Sequence, residues 1–466
     1  SYCTFIYFRS FSSKLILLMN FKSILIVLFL VGCSGIEELS DKREESFVDE
    51  SSINPLPFIS INTGGNLIVD DPKVSANLNI KRADSLIEAH QIGIEIRGSS
   101  SQMFDKKSYG FETWDENDDD LDAPLGGFPE EEDWILYGPY SDKSLIRNVL
   151  IYGLSNDIGQ YATRTNLYEL EINESFLGTY VLMEKIKRDK NRVDVSKNKE
   201  EDVSGGYILK IDKPTGDGQW YDDSFSFSSK FMPNGNIGQN KNTFFLYEYP
   251  NADDINDDQK NYIQNFIHDF ENALASENFS SEQSGYQNYI DLDSFIDFFI
   301  LNEVSKNPDG FRLSTFMHKD KGEKLKMGPI WDFNLAFGNV NYCNGASTEG
   351  WTHRFNEVCP NDTWLVPFWW NRFMEDPVFV STLKERWNNL RTNLFSTSEV
   401  LQRITLIEEE LKSSNAIKNN FSKWSILGEY VWPNDYIGNS YDDEINYLKD
   451  WTVKRLEWMD IEINNL

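Results

Sequence analysis

The sequence predicts an α+β fold of two lobes, a β-rich N-terminal half and a helix-rich C-terminal half with a cleft between them. Two observations carry that prediction. Up to about residue 250, apolar residues alternate at strand spacing between Gly, Asp and Asn turns. Beyond it they recur at helical spacing. A third observation sets the scale: 466 residues, 40% of them apolar, with 13 Trp and 32 Phe, supply a large core and exclude a disordered chain. The formal charge of −31 excludes a general grip on nucleic acid, whose phosphates demand a basic surface. It also disfavours adsorption to anionic lipid headgroups.

The chain opens on Ser1, and the expected start is Met19. Met19 to Lys22 form a short basic n-region and Ile24 to Val31 an apolar h-region, too short for a membrane span. Leu30-Val31-Gly32-Cys33 then reads as a lipobox, cut before Cys33, whose thiol takes the lipid anchor. Residues 1–33 are therefore an upstream extension and signal peptide. Residues 34–54, acidic and Ser-rich, are a tether, and 55–466 are the exported domain. The expected location is that of an exported bacterial lipoprotein, at an outer membrane or cell surface. Cys3 lies upstream and Cys33 is lipidated, leaving Cys343 and Cys359 in the exported domain. An oxidising compartment predicts a disulfide between them, with two free buried thiols as the alternative.

Leu56 to Leu78 reads as two or three strands, and Gln91 to Arg97 continues the pattern into Gly98-Ser99-Ser100-Ser101. Such a loop can lay backbone N–H groups on phosphates or be a polar hairpin, so Arg97 and Ser99 are candidate cofactor contacts. Lys107 alternates onto one face with Tyr109 and Phe111. A lysine there needs an anion, which a nucleotide phosphate supplies, unless it snorkels at a sheet edge. Asp142 to Asp157 is expected to be a helix. Leu167–Ile172 and Thr179–Met183 form a hairpin, and Gly206–Asp212 is a further strand. The acid-rich stretches Asp115–Asp122 and Glu130–Asp133 are compositional candidates for Ca²⁺. Without EF-hand spacing, they are expected to be solvated loops.

Asn256 to Gln259 is a capping-box start for one helix, and Tyr289 to Val304 is a second, rich in Phe. Helical spacing also marks Thr363–Asn393, the run after the capping box at Ser396, and Asp443–Ile461. The second helix hands the chain to the Asn307-Pro308-Asp309-Gly310 turn. Strand-like runs Ser314–Lys319 and Lys324–Met327 follow, joined by Asp320-Lys321-Gly322, a hairpin signal. Gly328-Pro329 ends the second strand before Ile330-Trp331-Asp332-Phe333. A hairpin folds the chain back, so Asp309 and Asp332 can face one cleft. Phosphoryl transfer needs such a pair, one carboxylate to orient the attacking hydroxyl and one to hold Mg²⁺ on the phosphates. Taken singly, each aspartate reads better as a turn or cap residue than as a catalytic one.

Asn307–Gly310 followed by Gly328–Gly338 resembles the signature of the CotH kinase family, the spore-coat-protein-H-like atypical protein kinases. The resemblance extends upstream through Ile96–Ser101, Lys106–Tyr109, Asp133–Tyr137, Asp142–Asn148, Gly178–Ile186 and Gly205–Asp212. It spans about Leu56 to Arg391. It implies a distantly protein-kinase-like fold that binds ATP with Mg²⁺ or Mn²⁺ and phosphorylates Ser or Thr of a protein substrate. Asp309 would be the catalytic base and Asp332 the metal-binding aspartate. Glu184 stands where a kinase pairs a glutamate with a lysine. The family pattern reads Arg-His-Asn after the base and Asp-x-Asp at the metal. This chain has Arg312-Leu313-Ser314 and Asp332-Phe333-Asn334, so Ser314 and Asn334 offer neutral oxygens there. The alternative function is a pseudokinase that keeps the fold and serves as a cell-surface binding or adhesion module.

Overall fold

The structure, a computed structural model, describes residues 55–82, 85–214, 220–238 and 243–466. The expected lipobox with Cys33 and the tether lie outside the described residues. No described helix is long and apolar enough to cross a membrane.

Strands dominate the first half. They are β1 (Phe58–Asn62), β2 (Val74–Arg82), β3 (Ser85–Arg97), β4 (Ser108–Trp114), β5 (Ala123–Leu125), β6 (Phe128–Glu131) and β7 (Asp133–Tyr137). Helix α1 (Arg147–Asp157) precedes β8 (Thr165–Ile172) and β9 (Ser175–Glu184). Seven of these strands close a barrel in the order β1-β2-β3-β4-β7-β9-β8, sealed by the parallel pairing of Phe58 with Glu169. Closure leaves no edge, and alternate residues such as Ile59, Ile61, Leu78, Ile92, Phe111 and Leu182 fill the interior. The β8–β9 hairpin turns on Asn173 and Glu174, both at positive φ, as a two-residue turn requires.

A second sheet, β11-β12-β10-β13-β14, is built from β10 (Tyr207–Ile211), β11 (Ser226–Ser228), β12 (Phe244–Tyr249), β13 (Thr315–Lys319) and β14 (Leu325–Met327). The expected hairpin after Asp309 is thus its β13–β14 edge. Between β12 and β13 run α2 (Asp257–Ala275) and α3 (Leu292–Ser305). Beyond β14 come α4 (Phe355–Val358), α5 (Trp369–Phe373), α6 (Pro377–Arg391), α7 (Thr397–Ser413), α8 (Ala416–Lys423) and α9 (Tyr441–Asn465). Twelve of the fourteen described strands precede residue 250, and eight of the nine α-helices follow it.

Local chemistry accounts for the boundaries. The α2 capping box forms, with Asn256 Oδ1 accepting from Gln259 N and Gln259 Oε1 from Asn256 N. At Ser396 only the forward bond of a box is made, to Glu399 N. The first helix starts at Arg147 rather than Asp142. The Asp142 carboxylate accepts from Ser144 N, Ser144 Oγ and Arg147 N, a local turn that outcompetes helix until Leu145 has passed through φ 66°. The run 363–393 divides because Asp376 caps a new helix whose first residue is Pro377. Helix α3 is buried on every side from Ser294 to Ser305, so it is the central strut on which the following turn stands.

Candidate functional site

Helix α3 stops at Lys306, in the left-handed conformation with φ 46°. The Lys306 ammonium donates to the carbonyls of Asn344, Ser347 and Glu349, which fixes the chain as it enters the Asn307–Gly310 turn. Burial pushes its pKa down to about 7. Asn307 Oδ1 accepts from Asp309 N at 3.2 Å. Arg312, with a side chain only 3% exposed, donates Nη2 to Asp309 Oδ1 at 2.7 Å and Nε to Pro308 O at 2.9 Å. Its Nη1 meets Asp362 Oδ1 at 3.2 Å and Trp364 O at 3.1 Å, and its guanidinium carbon lies 4.0 Å from the centroid of the Phe355 ring. One oxygen of Asp309 is therefore held by a bound guanidinium, while the side chain stays 20% exposed.

The hairpin returns the chain to Trp331 and Asp332. Trp331 stacks on Tyr152 of α1, whose hydroxyl accepts from Asp332 N at 3.0 Å. Phe333 N donates to Asn148 Oδ1 at 2.8 Å. Asp332 is held at φ 63°, and Asn307 Nδ2 reaches its carbonyl at 3.5 Å, the limit of a hydrogen bond. Among the described residues, five of the twelve non-glycine positions at positive φ fall here: Lys306, Phe311, Ser314, Asp332 and Phe337. Strain concentrated in one segment is a mark of functional sites.

Solvent reaches the Asp332 side chain, while protein atoms crowd around its carboxyl. This crowding, then the negative charges of Asp309 and Asp212, push its carboxyl up to about 6; Arg97 and Lys213 pull the other way. Its carboxylate has no hydrogen-bond donor among the described residues. Asp309, Asp332 and Asp212 are thus electrostatic neighbours.

Asp212 was missed as a site residue, although its strand was foreseen. The signal lies in register: Ile211 pairs with Thr315 across β10 and β13, so Asp212 and Ser314 come side by side. The Asp212 carboxylate accepts from Lys213 N at 2.9 Å and from the Ser314 backbone, while burial keeps its pKa raised. The side-chain oxygens of Ser314 and Asn334 bond to no other described residue.

Cations face the acids. Arg97, the last residue of β3, sits 5.7 Å from the Trp331 ring centroid within the field of Asp332. Lys210, also unforeseen, pairs with Glu248 at 2.9 Å. Burial opposes its charge, but Glu248 and Asp212 outweigh that and hold its pKa above the ordinary value. Tyr342 joins the site from the next loop, its hydroxyl pKa raised by crowding and then by Asp309.

Other expected residues lie elsewhere. Lys107 donates to the carbonyls of Gln102 and Phe104 at 2.7 and 2.6 Å, closing its own loop. The buried lysine is its neighbour Lys106, bound to Thr179 O and to Asn420 Oδ1 of α8. Ser99 belongs to a short 3-10 turn whose Gly98, at φ 111°, has no room for a Cβ beside Ser101 Oγ. The partner of Glu184 is an arginine rather than a lysine: Arg164 Nε donates to it at 3.0 Å, as does the Tyr161 hydroxyl. No described contact links Lys107, Ser99 or Glu184 to the three carboxylates. Asp122, Glu131 and Glu132 do converge, but the Lys187 ammonium lies against Glu131, Glu132 and Asp133. That cation occupies the place considered for Ca²⁺. Cys343 and Cys359 form a disulfide with their Cα atoms 5.7 Å apart.

The barrel, the second sheet and the helices therefore define an α+β protein, β-rich in its first half and helical in its second, with an acidic cluster opposed by cations. The chain belongs to the CotH kinase protein family, whose model matches residues 94–459, and is accordingly a kinase-like protein. No curated protein matches it.

Proposed function

We propose that the chain is an exported atypical protein kinase that transfers the γ-phosphoryl group of ATP to a Ser or Thr hydroxyl of an envelope or surface protein. One observation carries the reading: an unpartnered Asp332 carboxylate, its pKa pushed up to about 6, stands beside Asp309 and Asp212. Clustered carboxylates repel one another, and a divalent cation relieves that repulsion. The donors are all oxygens, which suits Mg²⁺ or Mn²⁺. Asp332 and Asp212 would hold the metal, with Ser314 and Asn334 as neutral oxygens. Asp212 restores the anionic oxygen that Asn334 lacks. When bound, the metal would neutralise charge on the β- and γ-phosphates.

Asp309, one oxygen fixed by Arg312, keeps the other for the acceptor hydroxyl. As the hydroxyl oxygen bonds to the γ-phosphorus, the bond to the β–γ bridging oxygen breaks and its electron pair leaves with ADP. The hydroxyl proton passes to Asp309. Arg97 and Lys210 set positive charge against the polyphosphate. Export through the Cys33 lipobox belongs to the same proposal, and the disulfide is in keeping with an oxidising compartment.

Isothermal titration of the chain from Ser34 with ATP and Mg²⁺ should give saturable, metal-dependent heat that Asp332→Ala abolishes. No heat at millimolar nucleotide would leave a binding module without transfer. The pH dependence has a definite sign. Metal binding needs ionised Asp332, so Mg²⁺ affinity should hold above the carboxyl's pKa of about 6. Below it, affinity should fall by up to about tenfold per pH unit. Titrations at pH 7.5 and 5 test this, and equal affinities would rule out Asp332 as a ligand.

A further inference from the structure

The loop closed by the Cys343–Cys359 disulfide walls a cavity of about 210 Å³ against Pro308, the residue before Asp309. Trp351, Phe355 and Val358 are among its lining residues, and its surface is largely apolar. Its walls are fixed before anything binds. The disulfide ties one side to the other. Lys306 spends its ammonium on three loop carbonyls, and Arg455 donates to the carbonyls of Thr348 and Gly350 at 3.0 and 2.8 Å. Yet the cavity is not sealed like a core. Val358 is 50% exposed, and the Thr352 hydroxyl in the wall is buried without a hydrogen-bond partner among the described residues.

We propose that this cavity receives one large apolar side chain of the acceptor protein, within about three residues of the phosphorylated Ser or Thr. The inference rests on the kinase reading, because it takes Asp309 as the point where the acceptor hydroxyl sits. An extended chain advances about 3.3 Å per residue, so an acceptor engaged at Asp309 passes the Pro308 wall within a few residues. A comparable apolar cavity of about 150 Å³ takes up a benzene ring. A space of 210 Å³ therefore accommodates a Leu, Met or Phe side chain. Arg354 and Glu357 are both exposed and carry opposite charges, so apolar fit rather than charge selects the occupant. Pockets for individual side chains beside an extended segment are a common source of specificity in peptide recognition.

The test is a set of fluorescent Ser-containing peptides in which Leu is moved from three residues before the Ser to three after it, all else being Ala or Gly. Binding to the full chain is read by polarisation, and transfer by γ-labelled ATP. Leu at one or two positions should tighten binding about tenfold over the Ala peptide. Val358→Asp should erase that preference while leaving Mg²⁺–ATP binding and the Ala peptide unchanged. A scan in which no position responds, or all respond equally, overturns the proposal. So does a Val358→Asp variant that weakens both peptides alike. Preference without transfer would keep the docking cavity and discard the kinase. Transfer without preference would do the reverse.

Discussion

Asp309→Asn is expected to lower phosphoryl transfer by about a hundredfold or more, while Mg²⁺–ATP binding changes by less than about threefold. The substitution separates chemistry from architecture. The Asn side chain keeps an oxygen where Arg312 Nη2 donates at 2.7 Å, so the turn and its anchoring by Pro308 O and Asp362 survive. What disappears is the second anionic oxygen, the only one of the pair free to orient a hydroxyl and take its proton. The transition state of phosphoryl transfer is loose and demands little of a base, so much of the loss comes from orientation. The amide nitrogen that now faces the hydroxyl only donates, so the hydroxyl loses both its orienting acceptor and the acceptor of its proton. Single-turnover transfer beside nucleotide titration makes the distinction. Unchanged turnover would reduce Asp309 to a turn residue.

The parts of this site that were legible are those encoded within one local stretch. Asp320-Lys321-Gly322 announced the β13–β14 hairpin, and the hairpin implied that Asp309 and Asp332 return to a common region. The α2 cap was equally local. What was not legible depends on partners distant in sequence. Asp212 enters the cluster only because Ile211 registers with Thr315, roughly a hundred residues on. No period within either strand reveals that pairing. Lys107 was favoured over Lys106 by extending strand alternation to residues before β4 begins at Ser108, where the parity does not apply. The choice of which lysine is buried is made by Asn420 on α8, 314 residues away. Glu184 is a different case: it meets Arg164 across the foreseen β8–β9 hairpin, one position beyond the Thr165–Met183 pair. Barrel closure is the largest case of distant pairing: the parallel contact of β1 with β8 joins segments about a hundred residues apart.

Glu303→Ala is expected to destabilise the fold by about 3–5 kcal/mol. Both partners of the Glu303–Arg455 pair have side chains 0% exposed, 3.0 Å apart. Glu303 Oε1 also accepts from His353 N and Nδ1, and Oε2 from Thr352 N, each at 2.8 Å. Removing the carboxylate strands a guanidinium in the interior and orphans two backbone amides, which costs more than the pair itself contributes. Burial alone would raise the Glu303 pKa, but His353 and Arg455 outweigh it and hold the carboxyl below its ordinary value. The linkage follows: this contribution is present above the unfolded pKa of about 4.3. It is lost as the pH falls through the lower folded value. Urea titration of Glu303→Ala, Arg455→Met and the double variant tests the account. If the cost is an uncompensated charge, the double variant should be less destabilised than the sum of the singles. Strict additivity would mean the two groups act separately. The same variants bear on the site, since Glu303 lies on the last turn of α3 and that turn sets the position of Lys306 and, through it, the approach to Asp309. Loss of the pair should therefore loosen the catalytic turn before it unfolds the barrel, with faster amide exchange at residues 307–314 than in β3 or β9.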